Sequence, residues 1–536
     1  MGRSKGRETS IKDNWKCVSI CLAMALANCQ YGYDTATIGG FQGKPNILCW
    51  TECFLKVFGY PDPERPIGYN IGTKPQQLIT SFLNVGTIIG VLLTGPFAHF
   101  FGRKVGVWTA CLVSCTACAI QIGTSNLAGL YAGRLLIGAS NGFFITFANT
   151  YTAEASPAHL RGFIVSFFGI WVSVGSLLGT IADNYSKSLD SKLSYQIPLA
   201  TIFAIPVMLS ILIFFIPESP RWLLVHDRPE DARKSLLRLR GNSMSPELIE
   251  EEFVEMKRGI DEEKELGSSV SLLDLFRGPD LRRTLLCFGV ILSHASSGIW
   301  LVIAYGTFFF QMAGVDNAFQ ASILSTAASF AGVLVGLYFV HKWIGRRFSM
   351  CLGSLGAGLC MLAVAISYHV APNTKPAGKS LVAFIMIYGF VYNGFSGTLS
   401  WPVTTEVVSS RLRVMSIGFG TAINYFFSWL VSYTAPYFIN KTELNWGPRY
   451  AYIWAGSNFA TFLFFFFFLP EMKGRSLEEL DELFQNRVSV KDFSKYQCVS
   501  SQRAREIVEQ QIHGDEAHSK DGEVEVEHHE DAAGKV

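Results

Sequence analysis

Charge is what this chain has least of. Asp, Glu, Lys and Arg make up 16% of 536 residues, against about 25% in an ordinary soluble protein. Apolar residues make up 49%, and the mean hydropathy is +0.27. A soluble multidomain protein has no use for so oily a surface. The net charge of +2 comes with no basic stripe, so no nucleic-acid partner is expected. No G-x-x-x-x-G-K-[ST] phosphate loop is present, which argues against an ATP-driven pump. No metal-ligand cluster or supported nucleophile stands in the sequence, so neither cofactor nor enzyme activity is expected. A signal peptide is also missing: Met1 to Lys16 is polar and basic, and the next apolar run is long enough to stay as an anchor. The 12 cysteines lie mostly inside apolar runs, as Cys111, Cys115 and Cys118 do, and read as small hydrophobes. Cys49 and Cys53 fall in the first polar loop, where a disulfide is left open.

What is there is apolar length. Twelve runs approach the ~20 residues that cross a ~30 Å hydrocarbon core. They fall at roughly 16–40, 77–99, 105–123, 127–150, 163–182, 196–216, 285–310, 319–341, 349–370, 380–402, 414–436 and 449–470. In lipid an open chain must satisfy its own backbone, so these runs are expected to be helices. The small residues Gly133, Gly138 and Gly142 are expected to let helices pack closely.

The chain repeats itself. Gly102-Arg103-Lys104 follows the second run, and Gly345-Arg346-Arg347 follows the eighth. Glu154 and Arg161 close the fourth run; Glu406 and Arg413, with the same spacing, close the tenth. Pro217-Glu218 ends the first half and Pro470-Glu471 the second. Landmarks recurring in order mean internal duplication, and two six-span halves are the plan of a secondary transporter. The expected organisation is a leader 1–15, a helical bundle 16–216, a central loop 217–284 with short helices, a second bundle 285–470, and a largely disordered tail 471–536. Lys and Arg gather in the leader and the even-to-odd loops, which places both termini and the central loop in the cytoplasm. The sequons at Asn184 and Asn440 then fall in outside loops as candidate glycosylation sites.

Charges inside lipid are functional candidates by default. Asp34 lies in the first span and Arg134 in the fourth. Either the pair is a carboxylate whose proton affinity is tuned by a mobile arginine, or it is a permanent ion pair that fixes packing. Arg103, Glu154, Arg161, Glu218, Arg221, Arg346, Glu406, Arg413, Glu471 and Arg475 sit at span ends and form a candidate cytoplasmic gate. His294 in the seventh span reads either as a hydrogen-bonded core histidine or as a proton relay.

Together these motifs resemble the sugar porter family of the major facilitator superfamily, over residues 15 to 485. The resemblance is carried by Gly32-Tyr33-Asp34 with Gly39-Gly40, Gly133-Arg134, Tyr151-x-x-Glu154-x-x-Pro157-x-x-x-Arg161-Gly162, Pro217-Glu218-Ser219-Pro220-Arg221-Trp222 and Pro470-Glu471-Met472-Lys473-Gly474-Arg475. Glu406 to Arg413, Asn445-Trp446-Gly447 and Trp454-Ala455-Gly456 look most like the fungal α-glucoside (maltose-type) permease branch. The resemblance implies an all-α membrane protein with twelve transmembrane helices in two bundles. It also implies a substrate site that includes Tyr31, His294, Ser297, Trp300, Asn393, Trp401 and Asn424.

The chain departs from the family pattern where sugar is held. His99-Phe100 replaces an Asp-Arg pair. Gly169 stands where hexose-binding members carry Gln, Trp300 where they carry Asn, and Phe330 where they carry another Asn. A pocket that exchanges amides for aromatics should bind hexose poorly. The reading is therefore a proton-coupled importer of a sugar or sugar-like molecule, with proton, substrate and membrane lipid as partners and the plasma membrane as its location. The alternatives are a facilitator or exporter of a non-sugar metabolite and a transporter-like nutrient sensor.

Overall fold

The computed structural model describes residues 14–41, 57–61, 69–157, 160, 164–186, 189, 192–241, 246–267, 272–312, 315, 317–342, 344–372, 374–409, 412–440, 442–473, 475, 477–493 and 496. Cys49 and Cys53 lie outside them, as does Arg161.

Every apolar run is helical where it is described. Among the described residues seven helices are long and apolar enough to cross a membrane, and they account for runs 2, 3, 6, 7, 8, 9, 10 and 12, with 2 and 3 in one helical stretch. Runs 1, 4, 5 and 11 are helical too, at Trp15–Ala25 with Ala27–Phe41, Leu127–Ala155, Phe167–Ser186 and Arg413–Ile439. Side chains such as Phe214, Phe215, Leu112 and Val370 stand exposed on these helices, a surface suited to lipid rather than water. A two-residue antiparallel ribbon, Tyr60–Pro61 with Tyr69–Asn70, precedes the second span and was not foreseen.

Glycine decides where the spans turn. Thr73–Gly123 carries spans 2 and 3, bent at Gly102, whose φ of 84° belongs to the left-handed side that glycine tolerates. Span 7 is broken in the same way into Gly278–Ser296 and Ile299–Met312, with Gly298 at φ 82°. Small residues also bring spans into contact. A Cβ on Gly142 would stand 2.7 Å from the Thr87 carbonyl oxygen of span 2, so spans 2 and 4 touch backbone to backbone. Gly336 repeats this in the second half against the Gly394 carbonyl, where a Cβ would stand at 2.2 Å. The duplication seen in the motifs is thus present in the packing.

Residues 10–469 form one compact unit. The first half is filled around Phe144, Phe147 and Tyr151 towards one end and Leu83, Ile137 and Tyr195 towards the other. The second half is filled around Tyr305, Tyr388, Tyr392 and Trp454. The central segment folds as Pro220–Val225, Pro229–Arg240 and Pro246–Gly267, close to the expected helices. It is fastened to the first half by Arg240. That side chain is 1% exposed, is paired with Glu252, and donates to the Ala155 carbonyl at 3.0 Å. A second unit begins at Pro470. There Arg475 donates to the carbonyls of Phe493 and Tyr496 at 3.0 and 2.8 Å, and Phe484 packs edge-on against Phe493. The described residues continue past Phe484 to Phe493 and Tyr496.

Candidate substrate path and gates

Asp34 and Arg134 meet. Arg134 Nη1 is 3.1 Å from Asp34 Oδ1, and both side chains are 1% exposed. Asn141 donates to the other carboxylate oxygen at 3.1 Å, and Arg134 Nε donates to the Ile79 carbonyl at 3.3 Å. Arg134 Nη2 is buried without an acceptor among the described residues, so the guanidinium is under-satisfied there. Helical periodicity explains the meeting. Asn141 lies two turns after Arg134 on the same face of span 4, and Asp34 faces that stripe from span 1.

The second half contributes an aromatic cluster. His294 pairs through Nδ1 with the Tyr392 hydroxyl at 2.8 Å and through Nε2 with the Ser400 hydroxyl at 2.6 Å. Its ring lies 6.1 Å from that of Trp401. Tyr392 opens a π-helical turn, Tyr392–Gly397, that interrupts span 10, a distortion common at functional sites. Asn393 belongs to this turn and donates back to the Gly389 carbonyl at 3.0 Å. Ser297 is taken up structurally, in contrast to its expected role. Its hydroxyl accepts the Ile299 N–H at 3.1 Å, and its carbonyl accepts from Tyr388 and Asn458, all bridging the break at Gly298.

Tyr425, which sequence reasoning missed, links the remaining candidates. Its ring lies 6.3 Å from Trp300, and it follows Asn424 directly. The Tyr31 hydroxyl interacts with it electrostatically from the first half. Tyr31 Oη, Trp300 Nε1 and Asn424 Oδ1 are all buried without a hydrogen-bond partner among the described residues.

At the end carrying the basic turns, Arg103 grips Glu154 through two bonds of 3.0 and 2.6 Å, and Ser219 donates to the same carboxylate at 2.5 Å. Glu218 accepts the backbone N–H groups of Arg103 and Lys104, both at 3.2 Å, and of Ser219 at 2.9 Å. Burial pushes its carboxyl above the ordinary value, and those N–H groups hold it partly down. Arg346 repeats the first pairing with Glu406 at 3.2 Å. A cleft of about 240 Å³ opens here, lined by His99, Arg103, Glu154, Arg221, Trp222 and His226 among others. Arg413 opens the helix of span 11. Glu471 accepts the Lys473 N–H at 3.0 Å, and Arg475 lies 3.8 Å from Glu479, both within the second unit.

The opposite ends of the halves are joined by hydrogen bonds. Thr80 pairs with Tyr305 at 2.7 Å, Tyr305 donates to the Ser432 carbonyl at 2.9 Å, and Asn84 donates to the Ser432 hydroxyl at 2.9 Å. Asn440 belongs to this seal. Its amide, 9% exposed, donates to Gln76 at 2.9 Å and Thr73 at 3.2 Å. That corrects its place as a glycan acceptor in a free loop, because the nitrogen a glycan would need is buried in the interface. Asn184 likewise lies inside the helix Phe167–Ser186 rather than in a loop.

Two broken spans, a buried ion pair at mid-helix and ion pairs repeated at corresponding span ends are the features of a membrane transporter built from two repeats. The profile of the "Sugar (and other) transporter" family matches residues 20–484, and the chain belongs to that family. It is a multi-pass transporter of the sugar porter type and not an enzyme. It is 30% identical over 497 residues to the major facilitator-type transporter ecdD of Aspergillus rugulosus, covering 90% of each chain. It is 27% identical over 485 residues to the hexose transporter HXT10 of Saccharomyces cerevisiae, covering 88% of this chain and 86% of that one. The fold is that of the xylose transporter XylE of E. coli solved with 6-bromo-6-deoxy-D-glucose. The TM-score is 0.68 at 21% identity, covering 88% of this chain and 100% of that one.

Proposed function

We propose that this chain imports a small molecule together with a proton by alternating access, and that the molecule is less densely hydroxylated than a hexose. The observation that carries the coupling is the buried Asp34–Arg134 pair with its under-satisfied guanidinium. A carboxylate held by an arginine in one conformation and abandoned in another binds and releases a proton once per cycle. The basic ends of the spans face the cytoplasm in this reading, and the sealed ends face outwards. The fungal relatives support the plasma membrane as the location. The placement in the α-glucoside branch rests on the stretch Glu406 to Arg413 and the residues around Trp446 and Trp454.

The substrate class follows from the polar valences that remain open. Both His294 nitrogens are engaged by Tyr392 and Ser400, and Ser297 is used in the helix break. Tyr31, Trp300 and Asn424 are among the groups that keep an open valence, and the rings of Trp300 and Tyr425 lie 6.3 Å apart. Such a set favours a ligand with a stackable face and few polar groups.

Uptake of a labelled panel of sugars, polyols and organic acids in transporter-deficient cells, with external pH recorded, tests both parts. Alkalinisation on adding the accepted substrate is expected. Trp300→Asn with Ala295→Gln should shift preference towards glucose or maltose. An unchanged preference would place the substrate elsewhere.

A further inference from the structure

Span 5 holds a carboxyl that the ion pair at Asp34 does not use. The fifth run was expected to end at residue 182, which left Asp183 in a loop. The helix continues to Ser186, and Asp183 is 2% exposed inside it. Its Oδ1 has no hydrogen-bond partner among the described residues.

The position follows from packing. Gly179, one turn earlier on the same helix, rests against the Tyr33 carbonyl of span 1, where a Cβ would stand at 2.8 Å. Asp183 therefore points towards the same helix that carries Asp34. Tyr33 of that helix interacts electrostatically with both carboxyls. Its own hydroxyl is turned away to Thr201 and the Pro198 carbonyl of span 6, leaving Asp183 no donor there. Among the described residues Tyr33 of span 1 interacts with it, and Tyr195 of span 6 lies in the apolar cluster that Tyr33 joins. A carboxylate without donors is costly to bury, and the neutral acid is not. A carboxyl retained only for packing would have been given donors.

We propose that Asp183 is a second proton-binding site of the transport cycle. It carries its proton as a neutral acid in the sealed conformation. It gives the proton to water when the sealed ends of the halves part and solvent reaches the end of span 5. This rests on the proton-coupled reading and adds to it a second carboxyl, apart from the one that Arg134 holds at 3.1 Å.

The full chain in lipid vesicles supplies the test. Infrared difference spectra between acid and alkaline buffer should show the carbonyl stretch of a protonated carboxyl that shifts in heavy water. Asp183→Asn should abolish that band, Asp34→Asn should leave it, and Asp183→Glu should restore it at a shifted frequency. Asparagine imitates the neutral acid in shape, so the variant should fold, which the unaltered melting temperature checks. A band that survives in Asp183→Asn overturns the proposal. In the same vesicles, a pH dye inside and the panel member that is best transported give protons moved per substrate. That ratio should fall in Asp183→Asn. An unchanged ratio overturns the role of Asp183 alone, whereas no proton movement in the wild type overturns the coupling reading and, with it, any use of Asp183 in transport.

Discussion

Asn84 of span 2 and Ser432 of span 11 are joined by a 2.9 Å hydrogen bond across 348 residues of sequence, and through it the two halves of the transporter hold one another. Tyr305 stands beside this bond with one hydroxyl serving both halves, paired with Thr80 and donating to the Ser432 carbonyl. The seal is polar but uncharged. Each neutral bond contributes roughly 1 kcal/mol, little enough to be broken in a transport cycle.

Loosening the seal should therefore shift the population rather than unfold the protein. Asn84→Ala with Tyr305→Phe should raise the labelling rate of a cysteine placed at Gln76 by a membrane-impermeant thiol reagent added outside. The shift expected from removing two or three bonds is roughly tenfold or more. Equal labelling in variant and wild type would mean that the seal carries no conformational free energy.

The Asp34 pair gives a second expectation. Asp34→Asn imitates the protonated carboxyl permanently, so accumulation against a gradient should be lost while exchange of substrate across the membrane persists. Arg134→Ala removes the cation that stabilises the charged form, so its uptake profile should move to more alkaline pH. Accumulation by Asp34→Asn with the wild-type pH profile would make the pair a packing element and place the proton coupling elsewhere in the protein.

Arg240 fastens the central segment. Removing it leaves Glu252 and the Ala155 carbonyl without their donor, and Glu252 keeps some solvent. Arg240→Ala should lower unfolding stability by about 3 kcal/mol, the low end for breaking a buried pair. Thermal or denaturant melts of the purified protein check this, and Arg240→Lys should recover only part of the loss because lysine cannot reproduce the forked contact.

Glu218 predicts a pH effect of definite sign. Its carboxyl is raised above the ordinary value by burial, so the folded protein holds this proton more tightly than the unfolded chain does. The stability it contributes is complete below the ordinary carboxyl range and is lost as pH rises through the raised value. Wild type should lose melting temperature relative to Glu218→Gln on going from acid to neutral pH, and the difference should vanish at low pH. The opposite slope would mean that the N–H groups of Arg103, Lys104 and Ser219 outweigh burial.

Much of the architecture was legible because lipid leaves the backbone few choices. Twelve apolar runs had to be helices, and the repeated Gly-Arg and Glu signals had to mark corresponding ends. The Asp34–Arg134 meeting was legible for the same reason, since two isolated charges in apolar helices need each other. Asp183 was not, because one residue of helix boundary separates a loop aspartate from a buried one. The engagement of Asn440 was hidden as well. A sequon is read from three neighbours, and its amide partners Gln76 and Thr73 lie in another span. Tyr425 and Arg240 escaped because an aromatic in an apolar run and an arginine in a charged segment look ordinary until their neighbours are known.

The two ends of the molecule differ in the kind of bond they use, and this makes the cycle sensitive to the solutions on either side in different ways. Arg103–Glu154 and Arg346–Glu406 are partly solvent-exposed ion pairs, so mobile salt weakens them over a Debye length of about 8 Å at physiological strength. The Asn84, Tyr305 and Asn440 bonds join neutral groups, and ionic strength scarcely touches them. With the orientation proposed above, a cell in strongly saline or very dilute surroundings would keep an unaltered outer latch, while a rise in its internal salt would slacken the inner one. The same membrane protein would then report the osmotic state of the cytosol through how fast it resets.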